Sequence, residues 1–97
     1  MHFLVDVTIH EPLKAAPLLP AHLAYLNQHF DQGDIVIFAA YEDRSGGMMI
    51  VKADSEEALQ ALLAKDPLRR EYCASWYCKP MKIARVKTEG LLAKEPA

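Results

Sequence analysis

The chain has 97 residues, of which 52% are hydrophobic and 25% are charged, and this composition is typical of a single soluble globular domain over residues 1–97. No apolar run reaches the roughly 18 residues needed to span a membrane, and a net charge of -2 gives no general attraction for nucleic-acid phosphates. We therefore expect neither membrane insertion nor nucleic-acid binding. The N-terminal segment lacks the basic leader of a secretion signal, which indicates a cytoplasmic protein.

Residues 2–10 predict the first strand because apolar and more polar side chains alternate along them. Three prolines within residues 11–20 rule out a regular helix before Pro20, which suits the first turn of a helix. That helix is predicted to end near Gly33. The strand face expected to be buried consists of Phe3, Val5, Val7 and Ile9, and the buried helix stripe consists of Leu19, Leu23, Leu26 and Phe30.

Two paired strands and a second helix follow in the sequence. Residues 34–43 and 48–53 are rich in β-branched, aromatic and other apolar residues, and the glycines between them suit a hairpin turn. Asp54, with Glu57 after it, is predicted to cap a helix that runs to Lys65. The residues that this helix is expected to bury are Ala58, Leu59, Leu62 and Leu63.

The last part of the chain predicts a short helical turn and a final strand. The turn begins after Asp66-Pro67, because proline suits the first position of a helix. The final strand covers residues 74–86, and its Pro80 indicates a bulge or an edge position. The tail over residues 88–97 is weakly patterned, so we expect it to be peripheral and to reach over a partner.

The order strand, helix, strand, strand, helix, strand is the split βαβ arrangement of ferredoxin-like α+β domains. It predicts a four-stranded antiparallel sheet with both helices on one face. The other face mixes apolar and polar side chains, so we expect a homodimer or higher homo-oligomer that packs sheet against sheet. A chain this short has little room for a private cavity beside a complete core, so a pocket is expected to share a wall with a partner subunit.

His22 and Asp66 are the residues best suited to proton transfer. His22 lies in the first turn of the first long helix, with Tyr25 and His29 on the same flank, and an imidazole gains and loses protons near neutral pH. Asp66 suits the N-cap of the helical turn that begins at Pro67. Each also has a purely structural interpretation, as a surface histidine and a capping aspartate. The two can meet only if the helices run antiparallel, which the sequence leaves open.

Several further side chains are candidates for binding an anionic or polar substrate. Arg44 lies in the predicted hairpin turn, and Arg69 lies beside Asp66, as does Arg70; a solvated surface charge is the alternative for each. A tyrosine can also hold a developing negative oxygen. The predicted substrate-binding residues are Tyr25, Tyr41, Arg44 and Arg69.

No metal or cofactor site is expected from the motifs. The four histidines have neither HxH nor HExxH spacing, and the chain has no nucleotide-binding glycine motif and no GxSxG sequence. Cys73 and Cys78 would lie on opposite faces of one regular strand, so they cannot pair there. Both are expected to be packing residues.

Three segments together resemble the YciI-like, or YCII-related, family over nearly the whole chain: PAHLAYLNQHFDQGDIVIFAAYED, GGMMIVKADSEEALQALLAKDP and a last strand containing WYCKPMKIA. The histidine early in the helix, the small-residue strand, the SxEEA helix start and the Asp-Pro occur in the family's order. The resemblance implies ferredoxin-like dimers akin to muconolactone isomerase, with an active site built around His22 and Asp66. Where the family usually has Gly-Pro, this chain has Ala39-Ala40, so the backbone at the pocket mouth is expected to differ.

The resemblance implies a cofactor-independent lyase or isomerase of aromatic-compound degradation, for example one that removes chloride from a chlorinated hydroxyquinol. In this hypothesis His22 transfers a proton, Asp66 orients it, and an arginine or tyrosine holds an oxyanion. The alternative is a non-catalytic dimeric module that binds a small ligand or a protein. RNA binding through the sheet is disfavoured by the acidic balance and by the lack of an aromatic RNA-binding strand.

Overall fold

The computed structural model of the protein describes residues 1–87 and contains one antiparallel sheet of four strands. The strands are β1 (His2–Ile9), β2 (Ile35–Ala40), β3 (Gly46–Lys52) and β4 (Ala74–Met81), in the sheet order β2-β3-β1-β4. The helices are α1 (Pro12–Ala15), α2 (Leu19–Gln32), α3 (Glu56–Leu63) and α4 (Pro67–Arg70). None of the helices in this part of the chain is long and apolar enough to cross a membrane.

Both long helices, α2 and α3, cover the same face of the sheet, so the predicted ferredoxin-like α+β arrangement is confirmed. Buried and partly exposed side chains alternate along most of β1, so its buried side chains lie in the core. The β2–β3 hairpin, which pairs with β1 through β3, supplies further apolar surface. The core residues are Phe3, Val5, Val7, Tyr25, Leu26, Ile35, Met49, Val51, Leu59 and Leu63. As Pro80 indicates, β4 lies at an edge of the sheet, where a residue without an N–H costs no ladder hydrogen bond.

The opposite face of the sheet, which we call the open face, is partly exposed and mixed in character. Leu4 of β1 lies between Ile50 of β3 and Lys79 of β4, and Asp6 lies between Met48 and Tyr77 in the next row. Ile37 of β2 pairs with Ile50, so an aliphatic band of Leu4, Ile50 and Ile37 runs across three strands. Charged and aromatic side chains lie beside it. The predicted peripheral tail, residues 88–97, lies outside the described residues.

Two local predictions for the helices are corrected by the structure. The proline-rich segment before Pro20 is helical, because α1 begins at Pro12 and a 3-10 turn at Ala16–Leu18 joins it to α2. Each proline stands at the start of a turn, where its missing N–H needs no partner. The cap of α3 is Ser55 and not Asp54, since the Ser55 hydroxyl accepts a hydrogen bond from the N–H of Ala58 over 3.0 Å.

The buried stripe of α2 also differs from the predicted one. Of the predicted members only Leu26 is buried, and the exposed ones are Leu19 (41%), Leu23 (50%) and Phe30 (47%). The buried positions are Tyr25, Leu26 and His29. Sequence hydrophobicity missed this stripe because two of its members are polar rings that find hydrogen-bond partners inside the protein.

The two cysteines are free, and Cys73 is fully buried. They do not share one regular strand, because Cys73 precedes β4 and follows Tyr72, whose φ of 59° breaks the extended backbone. Cys73 packs with Leu68, and its thiol donates to the carbonyl of that residue over 3.5 Å. Burial raises the pKa of the Cys78 thiol, which favours its protonated form.

Candidate active site

The structure brings His22 and Asp66 into contact. His22 Nδ1 lies 2.8 Å from Asp66 Oδ1, although the two residues are 44 positions apart in the chain. One turn further along α2, the Tyr25 hydroxyl donates to the carbonyl oxygen of Leu62 over 2.7 Å. From His22 to Tyr25 the residue number in α2 rises, while that of the contacted residue falls from Asp66 to Leu62 in α3. The two helices therefore run antiparallel. This direction is what allows the start of one helix to meet the residue beyond the end of the other.

Asp66 holds its carboxylate in one orientation. Its backbone is extended (φ -68°, ψ 127°), as expected before a proline, and the residue is fully buried. The oxygen that contacts His22 also accepts a hydrogen bond from the Leu68 N–H over 2.9 Å and so caps α4. Within residues 1–87, the second oxygen, Oδ2, has no hydrogen-bond donor. Capping and contact with the histidine are therefore combined in a single oxygen atom.

The hydrogen bond to Asp66 determines what the His22 ring can do. An ionised carboxylate only accepts hydrogen bonds, so with Asp66 ionised the proton of this bond is carried by Nδ1. In a neutral imidazole the other nitrogen, Nε2, is then unprotonated and can accept a proton. The His22 side chain is only 16% exposed, and it lines a cavity. Nε2 is the ring nitrogen left for a bound molecule.

The cavity has a volume of about 320 Å³ and lies between α2 and the hairpin end of β2 and β3. This volume is in the range of small-ligand sites. Its walls are mostly apolar. His22 contributes an imidazole ring that can exchange a proton, and Arg44 contributes a positive charge. The lining residues are Val7, Ile9, Leu19, His22, Leu23, Leu26, Phe38, Ala39, Ala40, Tyr41, Arg44, Gly46, Gly47, Met48, Met49 and Leu68.

Two of the predicted substrate-binding residues, Tyr41 and Arg44, line the cavity at the β2–β3 turn. Arg44 has a φ of 64°, a left-handed conformation that is uncommon for a residue with a side chain. The Tyr41 hydroxyl donates to Asp6 Oδ1 over 2.7 Å, and this hydrogen bond raises the pKa of Tyr41. Since Asp6 belongs to the open face, the Tyr41 hydroxyl is engaged away from the cavity. Ala39 and Ala40, where the resemblance implies Gly-Pro, also lie in the cavity wall.

The other two predicted binding residues lie outside the cavity lining. Tyr25 is buried, and its hydroxyl donates a hydrogen bond to the Leu62 carbonyl. Burial, with a smaller contribution from the nearby Asp66 charge, raises the pKa of Tyr25 above its usual range. Arg69 donates from Nη2 to Gln60 Oε1 over 2.7 Å, and its guanidinium carbon lies 5.7 Å from the centre of the Trp76 ring. Arg69 lines a separate recess between α4 and β4.

A second histidine-aspartate pair lies at the other end of α2. His29 Nδ1 is 2.9 Å from Asp34 Oδ2, on either side of Gly33, whose φ of 93° ends the helix. The N–H of Asp34 also bonds to the carbonyl of His29 over 3.0 Å. This pair ties the turn after α2 together and does not line the cavity, so its position favours a structural role.

Sequence reasoning missed part of the cavity wall and the partners of Arg69. Leu19 and Leu23 were assigned to the core but line the cavity, and Gln60 and Trp76 were not identified as contacts of Arg69. One available signal was the spacing of ring residues along α2. Positions 22, 25, 26 and 29 follow the i, i+3, i+4, i+7 pattern of a single helix face, and that face is the one that packs inward.

Comparison with known proteins places the chain among relatives of the predicted kind. None of the curated proteins compared matches the chain. A solved structure with the same fold is that of 5-chloro-2-hydroxyhydroquinone dehydrochlorinase (TftG) from Burkholderia phenoliruptrix AC1100 in complex with 2,5-dihydroxybenzoquinone. The two chains are 20% identical, and their superposition has a TM-score of 0.73 and covers 84% of this chain and 94% of that one. The YCII-related domain matches residues 1–82, and this chain therefore belongs to the YCII-related family.

Proposed function

We propose that the protein is a small-molecule enzyme of the lyase or isomerase type, in which His22 transfers a proton on a substrate bound in the apolar cavity. The observation that carries this proposal is the 2.8 Å contact between Nδ1 of His22, which lines the cavity, and the buried carboxylate of Asp66 behind it. A histidine held in one tautomer by a carboxylate is the arrangement that general acid-base catalysis uses. The dehydrochlorinase activity of a structural relative adds support for this class of reaction.

In the proposed reaction Nε2 of His22 accepts a proton from an acidic hydroxyl or carbon of the substrate. The imidazolium that forms is stabilised by the adjacent Asp66 carboxylate. The electron pair left on the substrate then either expels a leaving group such as chloride, after which Nε2 gives its proton to water, which makes the reaction that of a lyase, or shifts a double bond. In the second case Nε2 returns the proton to another carbon, which gives an isomerase. The Arg44 guanidinium at the cavity wall offsets negative charge that develops on the substrate.

We also propose that the working form is a homodimer joined through the open face of the sheet. The band formed by Leu4, Ile37 and Ile50 offers apolar area for such an interface, and the exposed Tyr77 side chain next to it is of a type enriched in interfaces. Because the helices and the cavity lie on the other side of the sheet, dimerisation leaves His22 in place.

Replacing His22 by alanine tests the catalytic proposal. We expect the variant His22→Ala to lose about 100-fold or more in kcat, since a positioned general base contributes about that much. Turnover is measured with a chlorinated hydroxyquinol and with a muconolactone. The matched control is His29→Ala, which removes the other histidine-aspartate pair of α2 and should lower the unfolding temperature while leaving kcat nearly unchanged.

An unchanged kcat in the folded His22→Ala variant would contradict the proposal. Binding of 2,5-dihydroxybenzoquinone by the wild type without turnover of either substrate would instead favour the alternative, a module that binds a small ligand. Both results are read from the same purified proteins, after circular dichroism has shown that each variant is folded.

A further inference from the structure

A second concave site lies between α4 and β4, separate from the cavity of His22. It is lined by His10, Arg69, Tyr72, Ala74, Ser75 and Trp76. Neighbouring residues divide between the two sites, because Ile9 and Leu68 line the cavity whereas His10 and Arg69 line this recess. The recess is thus a separate feature to which the proposed proton-transfer reaction assigns no role.

In the part of the chain that the structure describes, two buried N–H donors of the recess residues have no acceptor. Arg69 uses Nη2 to bond Gln60 Oε1, which fixes the guanidinium beside the Trp76 ring. Within residues 1–87, Arg69 Nη1 and Trp76 Nε1 are both buried and have no hydrogen-bond acceptor. Leaving such donors unpaired is costly, and more so when the donor is charged. A ligand that supplies acceptor oxygens to these residues is therefore favoured.

The lining of the recess suits a negative charge. None of its six residues is acidic, Arg69 is a permanent cation, and the hydroxyls of Tyr72 and Ser75 add further donors. The planar rings of Trp76 and Tyr72 offer flat apolar surface beside these donors. The guanidinium lies over the Trp76 ring, with its carbon 5.7 Å from the ring centre, so donors of the two residues lie near each other. A carboxylate offers two acceptor oxygens to such donors.

The backbone at Tyr72 fixes one wall of the recess. Its φ of 59° is the left-handed conformation that ends α4 in a Schellman cap. The turn is held by hydrogen bonds from the N–H of Tyr72 to the Arg69 carbonyl over 3.2 Å and from the N–H of Cys73 to the Leu68 carbonyl over 3.2 Å. Arg69 and Trp76 are only partly buried and both line the recess, so a small shift of their side chains brings the two buried nitrogens to a ligand there.

We propose that this recess is a binding site for a small carboxylate, whose oxygens accept from Arg69 and Trp76 and whose planar body packs on the aromatic rings. The proposal does not depend on the reaction at His22. A single fixed cation favours a monoanion over a multiply charged phosphate. The ligand class is therefore a planar monocarboxylate such as benzoate.

Trp76 is the only tryptophan in the chain, so its fluorescence reports on the recess directly. The wild-type protein is titrated with sodium benzoate at constant ionic strength, with sodium chloride as the salt control and inorganic phosphate as a second anion. We expect a saturable change in Trp76 fluorescence with benzoate. Absence of saturation would overturn the proposal, and tighter binding of phosphate than of benzoate would overturn the assignment to a carboxylate.

Two arginines on the same helix give a matched pair of variants. Arg69→Gln should weaken benzoate binding about tenfold or more, because a charged hydrogen-bond donor is lost. Arg70→Gln makes the same change of charge, but Arg70 is exposed and does not line the recess. The dissociation constant of benzoate for this variant should therefore stay within about twofold of the wild-type value. Equal effects of the two variants would mean non-specific charge attraction and would refute a site at Arg69.

A third variant keeps the test valid if Arg69→Gln unfolds. Ser75 is an exposed residue of β4 in the recess lining, so Ser75→Glu places a carboxylate there without disturbing the core. We expect this variant to keep its thermal unfolding temperature and to lose benzoate binding through charge repulsion. Benzoate binding at wild-type affinity by Ser75→Glu would contradict the proposal.

Discussion

At the scale of one residue, Asp66 combines a helix cap and a contact with His22 in one oxygen atom. Its Oδ1 receives the His22 ring from one side and the Leu68 N–H from the other. The proline that follows keeps the backbone extended, so the carboxylate has little freedom to turn away. Capping supplies the rigidity that orientation of the histidine requires.

The two roles of Asp66 can be separated by mutation. In Asp66→Asn the amide oxygen can still cap α4, so we expect the free energy of unfolding to fall by less than about 1 kcal/mol. The negative charge that stabilises an imidazolium is lost, and kcat should fall by about 100-fold or more. Urea denaturation and turnover measure the two effects. A kcat equal to that of the wild type would show that Asp66 serves only the helix.

The residues of this site differ in how far the sequence could predict them. His22 and Asp66 were identified because each stands in a recognisable motif, the histidine of PAHL and the aspartate of KDP. Their contact was not predictable, since it depends on the direction of two helices. The positions of Tyr25 and Arg69 depend on which way each helix faces and on partners such as Leu62 and Gln60, which no local pattern specifies.

At the scale of single elements, the strands were predicted more fully than the helix faces. The alternation along β1 and the glycines of the β2–β3 hairpin encode local geometry, and both appear as predicted. Helix α2 buries a different face from the predicted one, because a prediction from hydrophobic residues alone does not include buried polar rings. Tyr25 and His29 are acceptable in the core only because Leu62 and Asp34 accept their hydrogen bonds.

The hairpin is the element whose geometry most directly shapes the cavity. A β-carbon added at Gly47 would lie 2.4 Å from the carbonyl oxygen of Ala39, a distance that real contacts do not reach. We expect Gly47→Ala to push β2 from β3, to lower the free energy of unfolding by about 1–3 kcal/mol and to raise KM, since both strands line the cavity.

Gly33→Ala provides the control for this variant. Nothing lies within 4 Å of a β-carbon at Gly33, but the φ of 93° is unfavourable for alanine. It should cost about 1–2 kcal/mol of stability through the backbone alone and leave KM unchanged, because the residue does not line the cavity. Thermal unfolding and steady-state kinetics distinguish the two cases. A wild-type KM in Gly47→Ala would show that the hairpin spacing does not set the cavity.

At the scale of the whole molecule, the arrangement of helices and strands was predictable and the surface contacts were not. The order of elements and their lengths leave few ways to cover one sheet with two helices. The open face follows from the same pattern, because Leu4 and Asp6 of β1 must face away from the helices. What packs against that face depends on its shape and on a second chain, which alternation along a strand does not describe.

The proposed dimer predicts a change of mass when the open face is charged. Ile50→Glu places a carboxylate in the aliphatic band next to Leu4, and burying an unpaired charge in an interface is costly. Leu13→Glu is the control, since Leu13 is 91% exposed on α1, away from the sheet. In sedimentation equilibrium the wild type and Leu13→Glu should have twice the chain mass and Ile50→Glu the single mass. A monomeric wild type would contradict the dimer.

The position of β1 in the sheet has a consequence for how the protein is synthesised. Of the four strands described, β1 comes first in the chain and is one of the two inner strands, between β3 and β4, so that His2 pairs with Lys52 on one side and with Met81 on the other. Until the ribosome has released β4, one edge of β1 has unpaired backbone N–H and C=O groups, which are a template for aggregation. Contacts so distant along the chain also form slowly. Helix α3 and the β2–β3 hairpin are therefore expected to form first, and β1 is expected to stay unprotected on one edge until β4 pairs with it.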